Sequence, residues 1–280
     1  MARSIRSTTW LFFVLVFCWT WFFWILAAAS AISAQSALGM TLVVAGLLGP
    51  MLGGVGFAYF TQDSEYWREY WSRIVDPRRI PAKWFLLIFL FVPCLMAAAI
   101  LLDIATGDDT ALMETWRRAA PYVAAPTTIA PFLLHVLIYG PLPEELGWRG
   151  YALDRLQSKY NALLSSLVLG AIWAVWHLPL FFIKDMNPHY SQGAWSSWFW
   201  LFMTEVVATA IIYTWIFNNT HRSTLASIVF HFMGNLTAEL TNATAGTNFY
   251  STLLWVVAAV AAVTWWGPRS LTGRADTASK

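Results

Sequence analysis

Charged side chains are scarce in this sequence: Asp, Glu, Lys and Arg make up 11% of its 280 residues, while 58% are hydrophobic and 18 are tryptophan. A soluble domain carries about a quarter charged residues, so the deficit excludes an ordinary water-soluble core and predicts a polytopic membrane protein. Cysteine is nearly missing too. Cys18 and Cys94 both lie inside apolar runs, which argues against a disulfide framework and against a thiolate zinc site. The chain has no Gly-x-Ser-x-Gly elbow and no His-Glu-x-x-His helix, so the familiar serine-hydrolase and zincin signatures are absent. A nucleotide-binding glycine loop, an internal repeat and a low-complexity tract are likewise not found. Nucleic acid is not expected as a partner.

What the chain does have is apolar runs of spanning length. They fall near Trp10–Ala31, Leu38–Phe60, Trp84–Leu102, Ala124–Tyr139, Ala162–Phe182, Ser196–Phe217, Leu225–Leu240 and Phe249–Trp266. This predicts an all-α protein of about eight transmembrane helices, one integral membrane domain over residues 1–280. The first run is too long for a signal peptide and is read as a retained span. The fourth and seventh are short for a bilayer of about 30 Å, which predicts tilt or continuation into neighbouring helices. With a cytoplasmic N-terminus, the inside segments carry Arg3, Arg6, Arg68, Arg73, Arg78, Arg79, Lys83, Arg149, Arg155, Lys159, Arg222, Arg269, Arg274 and Lys280, against only Arg117, Arg118 and Lys184 outside. Fourteen against three is a strong positive-inside bias. A multi-pass protein of the cell membrane with both termini cytoplasmic is expected. Between the second and third spans, Tyr66, Trp67, Tyr70, Trp71 and Ile74 recur at helical spacing, predicting an amphipathic helix ended by Pro77.

The polar groups inside the runs carry the chemistry. Glu144-Glu145-Leu146-Gly147-Trp148-Arg149-Gly150 sets two carboxylates and an arginine between long apolar stretches. An ionised side chain at mid-bilayer costs about 2.5–3.5 kcal/mol on insertion scales. Glu145 and Arg149 stand at i and i+4 in the orientation that favours an ion pair, which leaves Glu144 without a local cation. His177 falls in the fifth span one turn after Trp173. His231 and Asn235, in the seventh, stand at i and i+4 and face one way. Three helices thus offer a carboxylate pair, a histidine, and a histidine with a carboxamide, a set that suggests one shared site. His135 and His221 are read as a packing and a loop histidine and set aside.

A carboxylate and an imidazole on one water can remove its proton and orient its attack, and a second imidazole beside a carboxamide can hold the oxyanion formed at a carbonyl. That combination hydrolyses an amide without a covalent nucleophile. Glu144, His177 and His231 are also plausible zinc ligands. The metal-independent mechanism, with no cofactor, is the preferred expectation.

The ordered set Glu144-Glu145-x-x-x-Arg149, Trp173-x-x-x-His177 and His231-x-x-x-Asn235 resembles the CAAX prenyl endopeptidase and bacteriocin-processing (CPBP, or Abi) family. The resemblance is specific over Pro141–Asn235, within a catalytic core set at residues 124–240. It implies an all-helical intramembrane endopeptidase whose cavity opens to the cytoplasm. It further implies that Glu144 with His177 activates water, that His231 with Asn235 stabilises the oxyanion, and that Glu145 and Arg149 shape the site. The family's second motif usually begins with phenylalanine, where this chain has Trp173. A peptide or lipidated protein in the membrane is the implied substrate: the tail of a prenylated, CAAX-type protein or a bacteriocin-like peptide. The alternatives are a zinc-dependent form of the same protease and a non-catalytic immunity or scaffold protein. An ion-coupled transporter finds less support, since no matching pair of broken helices is visible.

Depth sets a constraint. At 1.5 Å per residue, His177 lies ~22 Å along its span and His231 only ~9 Å along its own. Either the fifth span begins nearer Val168 or the helix after Glu144 dips into the membrane, and both are expected.

Overall fold

The structure is a computed structural model that describes residues 2–60, 63–108, 110–186, 188–241 and 243–272. Expectations resting on Arg274, Lys280 and the extreme termini lie outside them. Every regular element among the described residues is helical: α1 (Ala2–Ala29), α2 (Ala37–Leu47), α3 (Gly49–Phe60), α4 (Ser64–Val75), α5 (Ala82–Ala105), α6 (Thr110–Ala124), α7 (Ile129–Ile138), α8 (Pro141–Gly147), α9 (Leu153–Gln157), α10 (Ala162–Trp176), α11 (Pro188–Ser191), α12 (Ser197–Asn219), α13 (Thr224–Leu240) and α14 (Ala245–Trp266). Several helix starts are set by the residue just before them. The side chains of Ser36, Asn161, Ser196, Ser223 and Thr244 each accept the backbone N–H three residues on, satisfying a donor that the first turn leaves open.

Among the described residues, six stretches are long and apolar enough to cross a membrane: Thr8–Ala29, Ala37–Phe60, Ala82–Ala105, Ala162–Phe182, Ser197–Asn219 and Ala245–Trp266. They coincide with six of the eight expected spans. The expected fourth span is one limb of a helix pair, Thr110–Ala124 with Pro126–Gln157, bent by 97°. The expected seventh is α13, only 17 residues long. The segment after Asp103 forms the amphipathic helix α6, which its acidic sequence did not announce.

α4 takes the expected amphipathic form, closed at Val75 before Pro77, and it does more than anchor. Its Tyr70 hydroxyl donates to the Leu146 carbonyl at 3.0 Å, and its buried Arg73 pairs with Asp154, which also receives Arg222. α8 therefore rests on α4 from one side. From another it crosses α3 backbone to backbone: a side chain on Gly147 would meet the Pro50 carbonyl oxygen at 2.4 Å, and one on Gly54 the Leu146 oxygen at 2.5 Å. Between α8 and α9 the chain widens into a π turn at Trp148–Ala152, a distortion that recurs at functional positions. The run from Pro143 to Asp154 is buried throughout. α10 begins at Ala162 and not near Val168, so the expected later start of the fifth span is corrected.

The bundle has two distinct ends. At one, Lys159 Nζ donates to Thr9 Oγ1 at 3.0 Å, Ala162 N to the Arg269 carbonyl at 2.8 Å and Arg79 to the His221 carbonyl at 3.0 Å. This end gathers the start of α1, the end of α4, the α9–α10 and α12–α13 connections, and the segment after α14. At the other, Ala34 N donates to the Lys184 carbonyl at 2.8 Å and Thr247 to Asp103 at 2.7 Å, joining the α1–α2 connection, the segment after α10, the end of α5 and the start of α14.

Candidate active site

α8 delivers both glutamates from its first turns, behind Gly140. That glycine has φ +136°, a conformation essentially reserved for residues without a Cβ. Its bare Cα is also where the polar groups meet. A methyl group on Gly140 would lie 2.8 Å from Asn235 Nδ2, 3.4 Å from Glu144 Oε1 and 3.7 Å from His231 Nε2. The first and third motifs of the sequence thus converge on one point.

Each charged or titratable member is buried and held by a named partner. Glu145 Oε1 accepts from Arg149 Nη1 at 2.8 Å, the expected pair, and from His231 Nδ1 at 2.9 Å. The Arg149 guanidinium lies over the rings of Trp173 and Tyr213, 4.5 and 4.0 Å from their centroids. The aromatic faces offset part of the cost of burying that cation, because the ring quadrupole attracts it most strongly where water is excluded. Glu144, without a cation of its own, accepts the Trp173 indole N–H on Oε2 at 2.6 Å.

His177 caps the end of α10, where its Nδ1 lies 2.8 Å from the Trp173 carbonyl. A carbonyl can only accept, so Nδ1 carries the proton and the lone pair is on Nε2. Trp173 therefore serves the site twice, joining Glu144 through its side chain to His177 through its backbone. Its ring also packs against both histidines, with centroids 5.8 Å from His177 and 5.6 Å from His231.

Glu144, His177, His231 and Asn235 line one cavity of about 460 Å³, whose wall includes the aromatic side chains of Trp24, Trp176 and Phe202. Gly140 and Tyr213 were not singled out in the sequence. Gly140 stands directly before Pro141, and a Gly-Pro pair marks a turn. Tyr213 had no such signal, since an aromatic in a span is usually packing. His135, set aside from the sequence, lies on the cavity wall with its ring 4.1 Å from that of Tyr139. His221 is exposed at the other end, its Nδ1 donating to the Arg79 carbonyl at 2.9 Å.

A zinc ion would need at least three ligand side chains turned to one point. Among the described residues no three of His, Cys, Asp or Glu gather that way. Glu144, His177 and His231 do not form such a cluster in this geometry.

A family model described as type II CAAX prenyl endopeptidase Rce1-like matches residues 126–237, which hold all three motifs. A protein described as CAAX prenyl protease 2, from Methanococcus maripaludis, is 30% identical over 262 residues, covering 92% of this chain and 94% of the relative. The chain belongs to the CAAX prenyl endopeptidase family. For a CAAX-family protein built of so many apolar helices, the coarse function follows: a multi-pass membrane protein of the intramembrane endopeptidase class.

The exposed residues on the cavity lining are Gln35 in the α1–α2 connection, Met40 in α2, His135 in α7, Asp185 after α10 and Glu239 in the last turn of α13.

Proposed function

We propose that the protein cleaves a peptide bond by direct attack of water, with Glu144 as the base and no covalent intermediate. The observation that carries the reading is the convergence of Glu144 Oε1, His231 Nε2 and Asn235 Nδ2 beside Gly140. A water between Glu144 and His177 gives its proton to the Glu144 carboxylate and a hydrogen bond to His177 Nε2, and its oxygen bonds to the scissile carbonyl carbon. A positioned base of this kind contributes about 10²–10⁴-fold. The carbonyl oxygen becomes an oxyanion facing Asn235 Nδ2–H and, with His231 protonated on both nitrogens, the Nε2–H of that ring. Glu145 holds the other ring nitrogen, so it and Arg149 orient His231. A donor to an oxyanion is worth about 10²–10³-fold. As the carbon–nitrogen bond breaks, Glu144 returns the proton to the leaving amine, and a free carboxylate and a free amine result. No step passes through a metal.

The substrate in this reading is an extended peptide lodged in an aromatic cavity beside the lipid, with or without a prenyl group. The name of the Methanococcus maripaludis relative points to prenylated tails, and the aromatic residues of the wall suit either. Both chain ends are assigned to the cytoplasm, from the distribution of basic residues. The test is incubation of purified protein with paired plain and farnesylated C-terminal peptides, with products read by mass spectrometry. Cleavage at one internal bond is expected for at least one member of a pair. Intact peptides throughout, together with a Glu144→Ala variant that still complements a deletion phenotype, would overturn the reading in favour of an immunity or scaffold protein.

A further inference from the structure

One carboxylate of the cavity has no task in the cleavage. Glu205 stands in the first half of α12, inside an apolar span, and lines the same cavity as Glu144 and His231. An acid within a span is costly unless it has a partner or a purpose. Its partners are meagre. Among the described residues both hydrogen bonds of the carboxyl fall on Oε2, from Thr252 Oγ1 at 3.2 Å and Ser251 Oγ at 3.5 Å, both in α14. The Thr252 hydroxyl has one proton, and the Asn248 carbonyl competes for it at 3.0 Å. Oε1 is left to the cavity. Asp103, at the end of α5, is by contrast closed in by the hydroxyls of Thr244 and Thr247. The lining supplies Glu205 with no cation either. It holds four carboxylates, Glu144, Asp185, Glu205 and Glu239, three histidines and, among the described residues, no lysine or arginine. A cleft lined by charge of one sign draws a ligand of the other.

The distance to the reacting groups sets the register. The Tyr213 ring packs against those of Trp173 and His231, with centroids 5.8 Å from each. Glu205 precedes it by eight residues on the same helix, a rise of ~12 Å. An extended peptide covers that distance in about three to four residues. We infer that Glu205 is a specificity-determining residue, whose Oε1 accepts a hydrogen bond from a lysine or arginine side chain of the substrate about three to four residues from the scissile bond. The substrate class is a peptide with one basic residue at that spacing. This assignment rests on the proposed peptide cleavage.

The test uses detergent-purified protein and a peptide series in which one lysine is moved position by position along either side of the scissile bond. Each member is paired with its norleucine counterpart, which has nearly the same shape and no charge. In the wild type, kcat/KM for lysine over norleucine should reach at least about tenfold at one position three or four residues from the bond, the lower end of what a hydrogen bond to a charged group is worth. Acetylating that lysine should cost the same factor. In Glu205→Gln the ratio should fall to near one, and Glu205→Asp, which keeps the charge, should retain part of it. Each ratio compares one variant with itself, so a loss of folded protein cancels. A carboxylate that only ties α12 to α14 would lower the melting temperature when changed and leave no ratio to lose. A wild-type ratio near one at every position, or one unchanged in Glu205→Gln, overturns the inference and leaves the protease reading untouched. If no peptide is cut, binding to Glu144→Gln read by fluorescence anisotropy keeps the two apart. Lysine-selective binding that disappears in Glu144→Gln/Glu205→Gln upholds the role of Glu205 while the protease reading fails, and equal binding of both partners overturns it.

Discussion

The Trp173 indole N–H reaches Glu144 Oε2 at 2.6 Å, and the carbonyl of the same residue accepts a hydrogen bond from His177 Nδ1–H. A phenylalanine, usual at this place in the family, keeps the second contact and cannot make the first. Hydrogen bonds to a charged group contribute about 1.5–3 kcal/mol. Trp173→Phe should therefore lower kcat by roughly ten- to a hundredfold while shifting KM less, since the lost hydrogen bond is to the base. Steady-state kinetics on a fluorogenic peptide check this. An unchanged kcat would show that the indole does not position Glu144.

Gly140 is the tightest point of the site. Gly140→Ala must relax a φ of +136° and push Asn235 Nδ2 away from 2.8 Å. Backbone strain of this kind costs about 1–3 kcal/mol, and a displaced oxyanion donor about 10²-fold in rate. The expected variant is folded, melts a few degrees lower and turns over about a hundredfold more slowly. Thermal unfolding in detergent beside single-turnover kinetics reads both effects.

Glu145 and Glu144 should separate stability from turnover. Glu145 neutralises a fully buried arginine and holds His231, and breaking a buried pair from one side costs about 3–5 kcal/mol because the other charge is left uncompensated. Glu145→Gln should lower the melting temperature more than Glu144→Gln does, and the double change Glu145→Gln/Arg149→Met should recover part of that loss. If Glu145→Gln instead spares stability and abolishes turnover, the roles of the two carboxylates are reversed.

The Arg73–Asp154 pair ties α4 to the segment that carries the glutamates. Arg73→Met should loosen α4, so that limited proteolysis cuts near residues 61–76 several-fold faster, and added salt should change little because the pair is buried. An unchanged digestion pattern would mean that Tyr70 and Ile74 hold α4 without it.

The three motifs were legible because lipid makes polar groups rare. An acidic pair, two histidines and an asparagine inside apolar runs stand out where the same residues in a soluble protein would not. The Glu145–Arg149 pair followed from helical spacing alone. Gly140, Tyr213 and the second task of Trp173 were not legible, because their roles depend on which helices meet: a glycine is a site residue only once Asn235 is known to face it, and an aromatic in a span looks like packing until a guanidinium is found on its face. The amphipathic helix α6 was hidden by the acidic stretch that leads into it.

The central claim is that Glu144 activates water without a metal. Its most direct test is cleavage of a fluorogenic peptide by detergent-purified protein, wild type beside Glu144→Gln, each with and without a strong chelator and with bound metal counted. The account predicts that wild-type activity survives chelation and that a folded Glu144→Gln loses about 10²–10⁴-fold. Activity abolished by the chelator and restored by zinc, or retained in Glu144→Gln, would contradict it.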